Sequence, residues 1–393
     1  MPADSLLLTG RGRLLKPEPY DGPLPWAILV RDGRIAWIGA RSDAPDANAV
    51  IDLGEALVTP GLVNAHTHPA FLGDRSDEAA ARLAGAEYSG GGILRTVAAT
   101  RAGSDDQLRS VVVDRLAAEL AAGTTTVECK SGYGLSTVEE LRALRLIGEA
   151  AESVSTHVVR TFLGAHAVPS EAASADEYAT LIVEEMLPAV VAEGTADFCD
   201  VFCDRGFFSL EATERILTAA AGHGLGIRMH ADQLTRSGAT ELAVRLGATS
   251  ADHLEELDAA GVAALAGSRT VATLLPGPAL VMRGGLPPAR ALLDAGVTVA
   301  LASDANAGTF GAWGAMPLVI GLGATLLNLT VQEAIAAATA GGAAALGLAG
   351  RKGVLAVGAD ADLVAWDAEH EGAFALHLGS VVPRRTWIRG VRV

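Results

Sequence analysis

Leu62-Val-Asn-Ala-His-Thr-His68 is a short β-prone run that finishes in two histidines one residue apart. Side chains i and i+2 share one face of a strand, so both imidazoles reach toward the same point. Seven further β-prone runs follow: Thr124–Lys130, His157–His166, Phe198–Asp204, Gly226–Asp232, Thr249–Leu254, Thr270–Pro276 and Thr298–Asp304. Between them lie Ala-, Leu- and Glu-rich stretches with helical composition, among them Glu139–Ala151, Ala175–Ala192, Leu210–His223 and Gly238–Leu246. Alternation of this kind predicts βα units with parallel strands, and eight of them make an α/β chain with a (β/α)8 TIM-like barrel. The rival is an open doubly wound sheet. No G-x-G-x-x-G follows the first strand to support it.

Both chain ends read differently. In Ala27-Ile-Leu-Val-Arg-Asp-Gly-Arg-Ile-Ala-Trp-Ile-Gly39, two β-rich runs flank Asp32-Gly33, a pair that a tight hairpin turn prefers. Asp362-Leu-Val-Ala-Trp-Asp367 and Thr386-Trp-Ile-Arg-Gly-Val-Arg-Val393 repeat that character. The expected organisation is a small β-sandwich domain from residues 1–58 plus 352–393, with a barrel domain, 59–351, inserted between them.

Composition narrows the function. The chain has 393 residues, of which 50% are hydrophobic and 19% charged, enough apolar content for a large core. Thirty Lys and Arg against 46 Asp and Glu leave a net charge of −16, which disfavours nucleic acid and anionic lipid as partners. An anionic small molecule would need a local cation to hold it. Three cysteines (Cys129, Cys199 and Cys203) and an N-terminus without a basic segment and long apolar core predict a reducing, cytoplasmic setting. Ala305–Gln332 carries no formal charge, but Asn306, Pro317 and Asn328 within it favour a buried loop and helix over a membrane span. Cys199 and Cys203 read as core packing.

The polar residues fall at strand ends: His66 and His68, Glu128 and Lys130, His166, His230 and Asp232, Asp252 and His253, and Asp304. In a barrel all strands finish at one face, so residues distant in sequence converge there. Any one of these histidines is as readily explained as a hydrogen-bonded core residue. His66, His68, His230, His253 and Asp304 together form a borderline ligand set suited to Zn²⁺ or Fe²⁺. Glu128 and Lys130 read as paired strand-end charges, and His223 and His370 as surface residues.

Pro60-Gly-Leu-Val-Asn-Ala-His-Thr-His68 resembles the opening signature of the amidohydrolase superfamily, and Ala300-Leu-Ala-Ser-Asp304 its final-strand aspartate. More narrowly, six motifs resemble the imidazolonepropionase family of histidine degradation. They are His66–Arg75, Gly90–Leu94, Val127–Gly134, Thr161–Pro169, His230–Gln233 and Ser250–Leu254. The resemblance implies one Zn²⁺ or iron ion on His66, His68, His230 and Asp304, with His253 as the second catalytic histidine. It places Arg75, Tyr88, Tyr133, His166 and Gln233 around the substrate, Gln233 also in a catalytic role, and Asn306, Gly308 and Thr309 in a product-contacting loop. Two departures stand out: the segment from Tyr88 to Gly90 is short, and Ala307 stands where Pro is expected.

The implied reaction is hydrolysis of the cyclic amide of 4-imidazolone-5-propanoate to N-formimidoyl-L-glutamate. A bound Zn²⁺ or Fe²⁺ makes hydroxide available near neutral pH. Asp304 would move the proton to the departing ring nitrogen and His253 would polarise the carbonyl, with the choice of main base left open. Arg75, on the loop after the first strand, is the expected clamp for the propanoate. The alternatives are another cyclic amidase or a nucleobase deaminase of the same superfamily, or a non-catalytic barrel scaffold. A homodimer is the expected assembly.

Overall fold

The computed structural model describes residues 5–86 and 91–393. Its centre is an eight-stranded parallel sheet: β1 (Leu62–Asn64), β2 (Thr124–Lys130), β3 (His157–Ala165), β4 (Phe198–Cys203), β5 (Gly226–Ala231), β6 (Ser250–His253), β7 (Val271–Leu274) and β8 (Val299–Leu301). Neighbours in sequence are neighbours in the sheet. The first and last strands meet just beyond their ends, where Asp304 N–H donates to His66 O at 3.0 Å and His68 N–H to Ala305 O at 2.9 Å. The ring is therefore drawn together at His66, His68 and Asp304.

These strands form because they are buried on both faces. Thr124-Thr-Thr-Val-Glu-Cys-Lys130 has no exposed position, and β-branched side chains suit such a doubly covered sheet. Helices start where a hydroxyl or carboxylate can accept from the first turn. Ser136, Ser174, Ser209 and Asp258 accept from Glu139, Glu177, Ala212 and Gly261 N–H, and Ser104 forms a reciprocal capping box with Gln107.

Several element bounds differ from the sequence reading, most of them by a few residues at the strand ends. The expected helix 175–192 holds a π-turn at Ile182–Met186, where Leu187 N–H reaches back five residues to Ile182 O. Pro188 supplies no N–H to continue the regular ladder. The first and eighth strands stop short of His68 and Asp304. Asp304 itself has a φ of 50°, and Asp232 and His253 have φ of 48° and 84° at their own strand ends. Non-glycine residues in this left-handed region turn the chain away from the ladder, and such strain gathers at functional sites.

The chain ends form two four-stranded sheets. One joins Ser5–Gly10, Trp26–Arg31, Arg34–Ala40 and Ala49–Asp52; the other joins Val58–Pro60, Leu363–Trp366, Pro383–Ile388 and Val391–Arg392. Asp32 and Gly33, at φ 50° and 75°, make the expected hairpin turn. Leu8, Trp26, Ile28 and Val58 pack with Leu363, Ala365 and Trp387 in one cluster drawn from both sheets. Met316–Leu326 is the helix of the uncharged stretch, and no helix of the described residues is long and apolar enough to cross a membrane.

Candidate active site

At the C-terminal rim of the barrel the separated histidines meet. His66 Nε2 stands 3.2 Å from His68 Nε2, and Asp304 Oδ1 lies 3.6 Å from the first and 3.3 Å from the second. His230 joins the first two within 4.8 Å, and His253 joins His66 and Asp304 within the same span. All five side chains are buried. Ligands held 2.0–2.1 Å from a tetrahedral ion stand about 3.3 Å apart, so these spacings suit a single zinc-sized ion.

The outer nitrogens support the same conclusion. His66 Nδ1 faces Asp252 Oδ2 at 2.7 Å, and His230 Nδ1 faces Asp200 Oδ1 at 3.1 Å. A carboxylate on one ring nitrogen fixes the proton there and turns the other nitrogen inward as a donor, an arrangement typical of metal-holding histidines. Both carboxylates are anchored in turn. Arg228, fully buried, donates to Asp252 at 2.8 Å and to the Ala65 and Ala345 carbonyls. Lys130 donates to Asp200 and Glu128, both at 2.7 Å. Glu128 also accepts from Thr67 N–H, between the two histidines that follow β1.

Electrostatics keeps Asp200 and Lys130 charged and His66 neutral. Burial alone would raise the Asp200 carboxyl, but the charges and hydrogen bonds of His230 and Lys130 hold it well below the usual range. Burial would likewise discharge Lys130, yet Asp200 and Glu128 raise its pKa. Burial, then the Lys130 charge, holds His66 far below the ordinary imidazole value, which leaves it in the neutral form a metal requires. His253 goes the other way: burial opposes its charging, but Glu255, with Oε1 at 3.4 Å from Nδ1, raises it. Asp304 is lowered because the His68 hydrogen bond and nearby imidazoles outweigh its burial.

Above the cluster, a small cavity of about 30 Å³ is lined by Arg75, Tyr133, His166, Gln233, Asn306 and Thr309 together with His68, His230, His253 and Asp304. His166 Nδ1 donates to Gly132 O at 2.9 Å, and its ring stacks on His68 with centroids 5.1 Å apart. Tyr133 meets His166 edge-on at 5.1 Å. Its loop turns through Gly132 at φ 108°, a value glycine tolerates. The buried Glu140 carboxylate gathers the loop by accepting from Gly132, Gly134 and Leu135 N–H. Gln233 Oε1 is buried without a hydrogen-bond partner.

Asn306 is placed at the cavity, but its amide is spent within its own loop. It accepts from Gly308 and Thr309 N–H and donates to Asp304 O and Thr309 Oγ1. Asp232, read from sequence as a rim residue, instead caps the Ser237–Thr240 turn. Glu128 and Lys130 do pair, with Asp200 as the third member that sequence reading missed. Also missed were Arg228, Glu140 and Glu255. Arg228 and Glu140 signalled only as a charge within a buried strand or helix face, and Glu255 as a carboxylate two residues after His253. Tyr88 lies outside the described residues.

The chain matches the amidohydrolase family over residues 57–393. It is similar to a protein of Mycolicibacterium smegmatis named imidazolonepropionase, 47% identical over 93% of this chain and 91% of that protein. A protein of the same name from Nocardia farcinica is 44% identical over 98% of this chain and 97% of its own length. Among solved structures, a zinc-bound adenosine deaminase from Xanthomonas campestris superposes with a TM-score of 0.74 at 21% identity, covering 99% of this chain and 92% of that one. A 5-methylcytosine deaminase from Klebsiella pneumoniae gives 0.75 at 17%, covering 98% and 97%. The structural likenesses establish the shared fold.

Proposed function

This chain belongs to the amidohydrolase family, and from that premise we propose that it hydrolyses the cyclic amide of 4-imidazolone-5-propanoate to N-formimidoyl-L-glutamate in histidine degradation, the reaction for which its relatives are named. It is a hydrolase of a carbon–nitrogen bond. The observation that carries the substrate reading is the position of Arg75. Its guanidinium lines the same cavity as His68, His253 and Asp304, in a protein whose net charge otherwise repels an anion.

We assign His66, His68, His230 and Asp304 as ligands of one zinc or iron ion. When bound, such an ion polarises a coordinated water so that hydroxide forms near neutral pH. Arg75 takes the propanoate carboxylate through its planar fork. Tyr133 and His166 border the ring, and the unpartnered Gln233 Oε1 accepts from a ring N–H. Thr309 and the main chain at Gly308 close the other side, with Asn306 shaping their loop. Asp304 removes a proton from the attacking water and delivers it to the ring nitrogen as the carbon–nitrogen bond breaks. His253, its charge favoured by Glu255, donates toward the carbonyl oxygen where negative charge develops. The reading keeps the division into a β-sandwich domain (1–58 plus 352–393) and a barrel domain (59–351). It also keeps a cytoplasmic homodimer, for which sedimentation provides the check.

The deciding experiment offers purified protein imidazolonepropanoate, guanine, cytosine and a hydantoin. Turnover of the imidazolone alone is expected. Turnover of a nucleobase in its place would transfer the chain to the deaminases.

A further inference from the structure

We infer that Glu78, braced by Arg82, is the positioning residue that aims the Arg75 guanidinium at the substrate carboxylate. This rests on the reading of Arg75 as the carboxylate clamp. Arg75 immediately precedes the helix Ser76–Leu83, and Glu78 and Arg82 follow at the spacing that brings side chains to one helix face. Glu78 accepts from Arg75 Nε at 3.0 Å and from Nη2 at 2.6 Å, a two-pronged contact along one edge of the guanidinium. Such a fork fixes the plane of the group as well as its place. Arg82 Nη1 donates to the same Glu78 carboxylate at 3.2 Å, and its Nη2 donates to Gly308 O at 2.8 Å. Helix and Gly308 loop are thus tied together on either side of Arg75.

The remaining walls leave the guanidinium little room. A Cβ on Gly308 would lie 2.3 Å from Arg75 Cζ, and one on Gly92 would lie 1.9 Å from Glu78 Oε2 and 2.2 Å from Arg75 Nη2. With Glu78 on the Nε–Nη2 edge and the Gly308 main chain packed against Cζ, Nη1 and Nη2, the plane of the guanidinium is fixed beside the cavity. A long, flexible side chain is thereby presented in one orientation before substrate arrives, which spares that ordering cost on binding. Because the carboxylate is remote from the breaking bond, its contact contributes equally to ground and transition states and is read in KM.

The test is a double-mutant cycle of Glu78→Ala and Arg75→Ala, with Glu78→Gln as the conservative variant. Expected are a KM for imidazolonepropanoate raised roughly tenfold by Glu78→Ala, the size of one charge-assisted contact, and partial rescue in Glu78→Gln. Metal content and kcat should stay within twofold of wild type. On Arg75→Ala, which itself raises KM further, Glu78→Ala should add nothing. KM for the uncharged propanamide analogue should be insensitive to Glu78→Ala. A lower KM in Glu78→Ala, or a full additive effect on Arg75→Ala, would overturn the positioning role while leaving the clamp standing. An unchanged KM in Arg75→Ala would remove the clamp and this inference with it.

Discussion

Replacing Asp252 isolates the contribution of a residue that touches no substrate. One oxygen, Oδ2, accepts from both His66 Nδ1 at 2.7 Å and Arg228 Nη2 at 2.8 Å, while Oδ1 is buried without a hydrogen-bond partner. Asp252→Asn can therefore keep an amide oxygen in the shared position and its NH2 in the other. What it loses is charge. A hydrogen bond to an ionised group contributes about 1 kcal/mol more than a neutral one, so metal affinity should fall about fivefold. Asp252→Ala removes the acceptor altogether, freeing the His66 ring to rotate and leaving Arg228 short of its carboxylate. Loss of an outer partner of this kind costs roughly 10–100-fold in affinity, and the alanine variant belongs at the upper end. Competition for Zn²⁺ against a chromophoric chelator measures both dissociation constants without recourse to activity. Thermal melts of the metal-free proteins report the separate cost of stranding Arg228. If the alanine variant held zinc within twofold of wild type, the Asp252 contact would be incidental and the reasoning from outer carboxylate to inner ligand would fail.

Other outcomes follow from the same geometry. His68→Ala removes one of four proposed ligands and should leave protein purified with little bound metal by elemental analysis, since few donors remain to hold the ion. Glu255→Gln removes the charge that raises His253, so the His253 pKa drops; if protonated His253 assists the reaction, the alkaline limb of the kcat/KM profile moves to lower pH, and an unmoved limb would exclude that role. Gly308→Ala places a methyl 2.3 Å from Arg75 Cζ and should raise KM for the anionic substrate while melting close to wild type, a split visible in steady-state kinetics beside a thermal scan. Glu333, held at about 2 by Arg290, has a folded pKa below its unfolded value; its stabilising contribution is complete above the ordinary carboxylate range and is lost as pH falls toward 2. The melting difference between wild type and Glu333→Gln should therefore shrink between pH 5 and pH 2.

What could be read from the chain alone was whatever has a local cause. Strand periodicity located all eight barrel strands, because doubly buried strands need unbroken β-prone runs. The Asp32-Gly33 turn is similarly self-declaring. His66 and His68 announced a shared target through their spacing, and convergence of His230, His253 and Asp304 followed once the strands were taken to end on one face. The partners of those side chains were hidden. Asp200, Asp252, Lys130, Arg228 and Glu255 are charged residues in apolar surroundings, and nothing in their neighbourhoods says which imidazole or ammonium each will meet. Asp232 looked equivalent to Asp252 in sequence, yet one caps a turn and the other faces His66 Nδ1. Even adjacent register does not decide it: Asp252 lies beside His230 on the sheet, yet its carboxylate reaches His66, and Asp200, beside Arg228, meets His230 instead. Pairing across a barrel depends on the shear and twist of the closed ring, a property of all eight strands together, so no short stretch of sequence can encode it.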